Sequence, residues 1–590
     1  MIVPMKKATL LVIPKEQRQA VKKLRGLGVM HVHPVQQPQS DDLEDLKGKL
    51  ARAEKAMIVL GETEPNSKPS KISGEKTVDQ ILQLSEEQAT LASKLEEAEK
   101  TREWFNLWGE VTLESIQELE EAGITLRCYK LDKSALKTLP EDLNVQILGE
   151  AQGVIHAVLF AQSKEEKLDF KEEIMPKVQV SELDETIQSH QKRLSEIHKE
   201  IQKSVNQKPV ILDHITSLQK DLDYHTVLAG IGSIEDLVYL QGFVPEDTVP
   251  SLEKLAEVEG WGMILEDPED PAEVPTLLKN PPWIRIIQPL FDFMGTVPGY
   301  HEKDISVWFL IFLSLFFAML IGDAGYGLLF IGLTFFAERK AGKVVPKEPF
   351  RLLYLMSFIT VVWGVLTGTW FGYEKIADLP LFRAGVIEQI DSFAEDNSQF
   401  MMYICFVIGI VHLTIARLIN AYKIKHSLRA LGEVGWIGIL WSVFFLVQSL
   451  VVGKTLPALT LPLLIGGILL ALVFSNWQKN VIKGIGETSF DLPLSVISSF
   501  SDIMSYLRLF AVGFAAVQVA SAFNEIAIGS GIDSVLKGFL AAIVLFFGHS
   551  LNIVLGLMAV LVHGVRLNML EFSGHLNQQW SGKPYQPFRQ

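Results

Sequence analysis

Cysteine is all but missing. Cys128 and Cys405 are the only two in 590 residues, one in each half of the chain, so they support neither a disulfide framework nor a thiolate metal site. A positive excess is missing as well: the formal net charge is −15. Phosphate backbones are held by clustered Lys and Arg, so nucleic acid is excluded as the main partner. No GxxxxGK[ST] phosphate loop occurs, and no nucleotide site, cofactor or metal is expected in this polypeptide. The opening MIVPMKKATLLVIP (1–14) carries too short an apolar run after Lys6 and Lys7 for a secretory signal, so the front half is expected to stay in the cytoplasm.

What is present is divided sharply. Nearly all long charged runs precede Lys279 and nearly all long apolar runs follow Pro281. The length suggests about three or four domain-sized units, and the composition predicts a polar front half, 1–280, joined to a membrane-embedded back half, 281–590.

Three stretches of the front half read as strand, helix, strand: residues 8–35, 126–161 and 237–266. Between them the pattern becomes heptad-like. Ile81, Leu84, Gln88, Leu91, Leu95, Ala98, Arg102 and Phe105 alternate steps of three and four, as do Leu183, Ile187, His190, Leu194, Ile197 and Ile201. The fold expected is an α+β domain of two small α/β lobes joined by an antiparallel coiled-coil rod. Residues 1–40 and 206–280 would form the proximal lobe, 41–110 and 166–205 the arms, and 111–165 the distal lobe, with NSKPSKISG (66–74) a break in the outgoing arm. A dimerisation or spacer element is the plainer reading of a coiled coil. Both arms lie in one chain, however, so the seam is already filled and a strut is favoured.

The back half is read as an α-helical polytopic membrane domain. Apolar windows at 305–321, 326–336, 352–371, 401–422, 432–452, 456–474, 494–526 and 535–570 predict eight spans, the short second one able to merge with the first as a broken helix. With the front half inside, loops after spans two, four and six should be basic. They carry Arg339, Lys340, Lys343, Lys347 and Arg351, then Lys423, Lys425 and Arg429, then Lys479 and Lys483, whereas 372–399 is acidic. The last two windows would form helices of about 50 Å, well beyond a hydrocarbon core of about 30 Å, so they should tilt strongly or protrude.

Those two long segments also hold charges where charge is costly. Arg508 falls near the middle of span seven with Asp502, Ser505, Tyr506 and Gln518 around it, and a central membrane arginine costs about 3 kcal/mol on insertion scales. Span eight has His563, Arg566 and Glu571 close together. Two readings stand for each arginine. Arg508 either serves an ion path or is held internally, by Asp502 or by a carbonyl, to join two spans; Arg566 either assists it or snorkels to the headgroups. Arginine suits an ion path because guanidinium never gives up its proton, yet lowers the pKa of a passing carboxylate. His563 and Glu571 could relay protons or be structural.

The motifs VYLQGFVPE (238–246), NPPWIRIIQPL (280–290), FFAMLIGDAGYGLLF (316–330), WGVLTGTWFG (363–372), IGIVHLTIA (408–416), SDIMSYLRLFAVGFA (501–515), LVHGVRLNMLEF (561–572) and GKPYQPF (582–588) occur in that order. Together they make the chain resemble the V-type and archaeal-type ATPase subunit a/I family along most of its length. The resemblance implies a static membrane subunit of a rotary ATPase, non-catalytic and multi-pass in the cell membrane, with front half and carboxyl end cytoplasmic. It implies proton or sodium half-channels, Arg508 facing the carboxylates of a rotating ring of c-type proteolipid subunits, and Arg566 as its helper. The implied partners are that ring, peripheral stalk subunits, a central-stalk rotor adaptor, the ATP-hydrolysing sector indirectly, and the lipid bilayer. Eukaryotic members carry a histidine after the first arginine and a carboxylate before the second. Here 510–518 has no histidine and Gly556 stands at the second place, which points to a compact bacterial-type member.

Two other classes compete. A stand-alone secondary transporter would show paired broken helices in inverted repeats; Gly322, Gly325 and Gly327 make one break without a match in the other half. A membrane-anchored coiled-coil scaffold would leave Arg508 without a purpose.

Overall fold

The computed structural model describes the whole chain except residues 62, 64, 66–72, 133–142, 152, 164–165, 344, 395–396, 478–480, 530, 532 and 590. The break expected within 66–74, and Lys479 of the third basic loop, lie outside the described residues. The chain divides into two compact units. One comprises Met1–Leu10, Gly28–Val32 and Gln241–Pro587, the other Leu11–Leu27, His33–Leu240 and Phe588–Gln590.

Near the amino end the chain runs through β1 (Met5–Val12), α1 (Gln17–Leu27) and β2 (His31–His33). Met5, Ala8, Leu10 and Val12 are the buried residues of β1, close to the period-two pattern of a strand with one covered face.

Helices α2 (Asp41–Val59) and α3 (Gly74–Trp108) follow, each opened by a serine, Ser40 and Ser73, whose hydroxyl accepts a first-turn N–H. Then come α4 (Leu113–Glu121), β3 (Thr125–Asp132), β4 (Val145–Ala151), β5 (Val154–Ala161) and β6 (Glu172–Glu173). These four strands form one sheet in the order β4-β5-β3-β6, antiparallel throughout. Its core includes Tyr129, Leu131, Ile155, Ala157 and Leu159.

The return path is α5 (Val180–Ser204) and α6 (Lys208–Ala229). Helix α3 pairs with α5, burying Ala98 and Phe105 against Leu183, and the buried residues follow the heptad positions read from the sequence. The antiparallel register is fixed by two ion pairs, Arg102 to Asp184 at 2.7 Å and Arg193 to Glu87 at 2.7 Å. Helix α6 pairs with α2 through Ala53, Ala56, Leu60, Ile211 and Leu218. The helical return thus continues to Ala229, past residue 205 where the sequence reading ended the arm. Residues 166–179 are not helical at all.

Beyond α6 lie β7 (Gly232–Ile234), β8 (Leu237–Pro245), α7 (Val249–Glu259), β9 (Gly262–Glu266) and β10 (Pro275–Thr276). The stretches 8–35 and 237–266, both expected in the proximal lobe, contribute strands to one sheet in the order β2-β8-β1-β9, with β7 on β8.

The apolar half begins with short α8 (Pro282–Arg285) and α9 (Gln288–Met294), then α10 (Ser306–Ile321), α11 (Ala324–Ala341) and α12 (Lys347–Thr367). Gly322 takes a left-handed φ of 67° to end α10, and Asp323 caps α11, so the two helices meet at a bend of 118°. Gly364 of α12 lies against this bend, where an added Cβ would strike the Ala324 backbone. After one-turn helices α13 (Glu374–Ala377) and α14 (Pro380–Arg383) come α15 (Ser398–Lys423), α16 (Arg429–Val447), α17 (Thr460–Phe474), α18 (Val481–Ser505), α19 (Leu507–Ile528) and α20 (Val535–Ala559).

All eight apolar windows are helical, but the count of crossings is coarser than eight. Among the described residues five helices are long and apolar enough to span, or six if α10 and α11 count as one broken span; α17 has only 15 residues. The two long segments are longer than expected: Ile482–Ile528 has 47 residues and Val535–His575 has 41. Their Tyr506 and Phe572 share a core with Phe309, Phe316 and Phe406. At the carboxyl end β11 (Lys583–Pro584) pairs parallel with β10.

Candidate functional site

Local winding makes the site. Helix α20 continues into two π-helical turns, Val560–Gly564 and Leu567–Phe572. Hydrogen bonding from i to i+5 brings residues five apart onto one side, whereas an α-helix would separate them. Arg566 and Glu571 therefore approach each other, with Arg566 Nε 3.6 Å from Glu571 Oε1. The neighbouring long segment is interrupted at Tyr506, and two residues later Arg508 places Nη2 2.7 Å from the same carboxylate oxygen. Arg508 Nε donates to the Ser505 carbonyl at 2.9 Å, which fixes the guanidinium plane.

Burial is graded across this group. Glu571 is 4% exposed, Arg508 24% and Arg566 51%. The carboxylate is thus an inner anchor and the two guanidinium groups reach outward. Glu571 Oε2 has no hydrogen-bond partner among the described residues, and neither has Nδ1 of half-buried His563. One oxygen of this buried carboxylate is shared by two guanidinium groups while the other has no partner among the described residues, so a polar group could be taken up there.

The other residues singled out from the sequence fall elsewhere. Asp502 does not pair with Arg508; it accepts from His575 Nε2 at 3.0 Å, while Arg417 Nε donates to His575 Nδ1 at 3.1 Å and Arg417 Nη1 reaches Glu433 at 3.2 Å. Ser505 contributes its carbonyl rather than its hydroxyl. Tyr506 is fully buried, its hydroxyl 2.8 Å from His412 Nδ1, and His412 is stacked between Phe312 and Phe572. Gln518 is exposed and lies about 15 Å along the helix from Arg508. It does not join the group.

A further polar network lies along the same two helices on the other side of Arg508. Asp323, 2% exposed, accepts N–H groups from Tyr326, Phe371 and Gly372. The Tyr326 hydroxyl meets His549 Nδ1 at 2.7 Å and receives Asn552 Nδ2 at 3.1 Å; His549 Nε2 meets Asn524 Oδ1 at 3.2 Å, and Asn524 Nδ2 donates to the Phe371 carbonyl at 2.7 Å. Sequence reasoning passed over this set, and over Arg417, Glu433 and His575. The available signal was an ionisable residue inside an apolar run, His549 in FFGHSLN and Arg417 in TIARLIN.

Outward from Arg508, the long helices present apolar surface. Phe514, Phe546, Phe547, Leu551 and Leu555 are exposed. The rest of the chain buries 33% and 28% of the apolar windows of these two segments, against 39–44% for the other three spans. Of the five spans, the long pair is the least covered by its own chain.

An apolar helical assembly with an arginine-carboxylate group inside two over-long helices defines a multi-pass membrane protein built around buried charge. Comparison with known proteins narrows this. The V-type ATP synthase subunit I of Borreliella burgdorferi is 31% identical over 628 aligned positions, covering 100% of this chain and 99% of that protein. V-type ATP synthase subunit I 1 of Treponema pallidum is 29% identical, with 100% of both covered. The A-type ATP synthase subunit I of Methanocaldococcus jannaschii is 25% identical over 61% of this chain and 56% of its own length. No family model matches. A solved cytoplasmic N-terminal domain of subunit I, homologue of subunit a, of V-ATPase aligns over 44% of this chain and 100% of its own at 16% identity, with a TM-score of 0.25 that carries no argument about fold. The chain belongs to the V-type ATP synthase subunit I family. It is a membrane subunit of a rotary ATPase.

Proposed function

We propose that this subunit forms the proton or sodium half-channels of its complex, with Arg508 facing the carboxylates of a rotating ring of c-type proteolipid subunits and Arg566 assisting. The observation that carries the reading is Arg508 itself: partly exposed, anchored on Glu571, and set in the two least covered of the five spans. A guanidinium there favours the charged form of an arriving carboxylate and drives off its bound ion, while never carrying a proton through the barrier. Asp502, His575, Arg417 and Glu433 on one side of Arg508, and Asn524, His549, Tyr326 and Asp323 on the other, suit two paths that end near the same arginine from opposite directions.

In this reading residues 1–280 are a cytoplasmic stator domain that holds the membrane half, 281–590, against torque. Peripheral stalk subunits would grip the rod, the central-stalk rotor adaptor would turn beside it, and the ATP-hydrolysing sector would act at a distance, this chain having no nucleotide site of its own. Basic loops after the second, fourth and sixth apolar windows favour a cell-membrane topology of eight crossings with both ends cytoplasmic.

Cysteines placed at Phe514 and Leu555, on the exposed faces of α19 and α20, test this placement in the assembled complex. Oxidation should link them to cysteines on the outer helices of the ring. Links to other subunits, with none to the ring, would refute it.

A further inference from the structure

Arg351, Leu355 and Ile359 stand four residues apart on α12 and so form one stripe, which runs about 12 Å along the helix. Opposite it on α10 are Leu310, Ile311 and Ser314, again one face. Pro282, Trp283 and Ile286, in and just after α8, close one end. Together these residues line a cavity of about 610 Å³. It is apolar in effect, because the Ser314 hydroxyl is satisfied by the Leu310 carbonyl at 2.7 Å. Ile311 and Trp283 are half exposed, so the groove opens outward from the helices.

Polarity changes at one end only. Arg351, the last residue of the basic group, lies in the second turn of α12; its charge acts on Glu348, whose direct partner is Arg285 at 2.8 Å. One acid against two guanidinium groups leaves the mouth net positive. Trp283, which belongs to the residue type enriched at membrane interfaces, stands at the same end. A cation and an indole at the head of the stripe, with apolar side chains along the rest of its length of about 12 Å, match the order of groups in a phospholipid: an anionic head at interface depth, then a hydrocarbon chain. A free phosphate would find no use for the stripe, and a plain hydrocarbon none for the arginine.

We propose that this groove is a specific binding site for an anionic glycerophospholipid, the phosphate held by Arg351 and one acyl chain lying along Leu355 and Ile359. Guanidinium can take two phosphate oxygens at once. The site shares no residue with the Arg508 group, so it stands or falls independently of the ion path.

The test uses the full-length chain in mild detergent, incubated with phosphatidylglycerol or phosphatidylcholine of identical acyl chains, with retained lipid counted by native mass spectrometry. The wild type should retain phosphatidylglycerol about fivefold better, the scale of one basic residue near an anionic surface. Arg351→Gln should lose one retained phosphatidylglycerol and the preference with it, Arg351→Lys should keep much of it, and Ile359→Trp, which fills the groove, should lose lipid of either kind. Equal retention of both lipids by the wild type, or an unchanged preference in Arg351→Gln, would overturn the proposal.

Discussion

Arg508 Nη2 lies 2.7 Å from Glu571 Oε1, across two different long helices and 63 residues of chain. The same oxygen is 3.6 Å from Arg566. Two cations on one buried carboxylate set the reach of both guanidinium groups, so the anchor is as open to test as the arginines.

Replacing Glu571 with Gln removes the anchor's charge and keeps its shape. Loss of one partner from a buried pair costs about 3–5 kcal/mol when both are enclosed. Arg508 and Arg566 are partly exposed, so a loss of roughly 1–2 kcal/mol is expected here. A double-mutant cycle of Glu571→Gln with Arg508→Gln, read by thermal unfolding of the solubilised chain, should show strong coupling. Additive effects would mean that the pair contributes nothing as a pair.

In the rod, Phe105 is 1% exposed and packs on Leu183 and Ala98. Truncation to Ala should cost about 3–5 kcal/mol, the usual range for a buried Phe. Hydrogen exchange should then quicken in both α3 and α5 around that layer, and little in α2 and α6. Uniform exchange across all four helices would show that the rod opens as one piece.

Burial pushes the Cys128 thiol up to about 12, so it stays protonated at ordinary pH. Alkylation at pH 8 should be slow in the native protein and complete once it is denatured; rapid native labelling would contradict the packing of β3. Linkage carries a sign as well. The folded thiol binds its proton more tightly than the unfolded one, so this group's contribution to stability is complete below the ordinary thiol range and falls as pH rises toward about 12.

Much of this was legible in the sequence. The seam of α3 and α5 follows from steps of three and four because a helix in a filled rod must bury one stripe. The eight apolar windows are largely helical for another reason, that a backbone surrounded by hydrocarbon must satisfy its own hydrogen bonds. Other features were not legible because they depend on winding or on distant chain. The pairing of Arg566 with Glu571 needs π-helical turns, and an α-helical reading puts the two on different faces. Of the two internal partners open to Arg508, Asp502 is taken by His575, 73 residues away, and a carbonyl, that of Ser505, receives the guanidinium. The extent of the returning arm was misjudged since α6 lacks a clean heptad and pairs with α2, well away in sequence from the α3–α5 seam.

The most direct test of the account is ATP-driven ion uptake by vesicles that hold the assembled complex, with wild type compared against Arg508→Ala and Arg508→Lys and ring retention checked by pull-down. The account predicts that uptake is lost in Arg508→Ala while the ring stays bound, and is severely impaired in Arg508→Lys, whose compact ammonium cannot hold Glu571 and face a second carboxylate as the guanidinium does. Normal uptake in both variants would contradict it and leave Arg508 a structural residue.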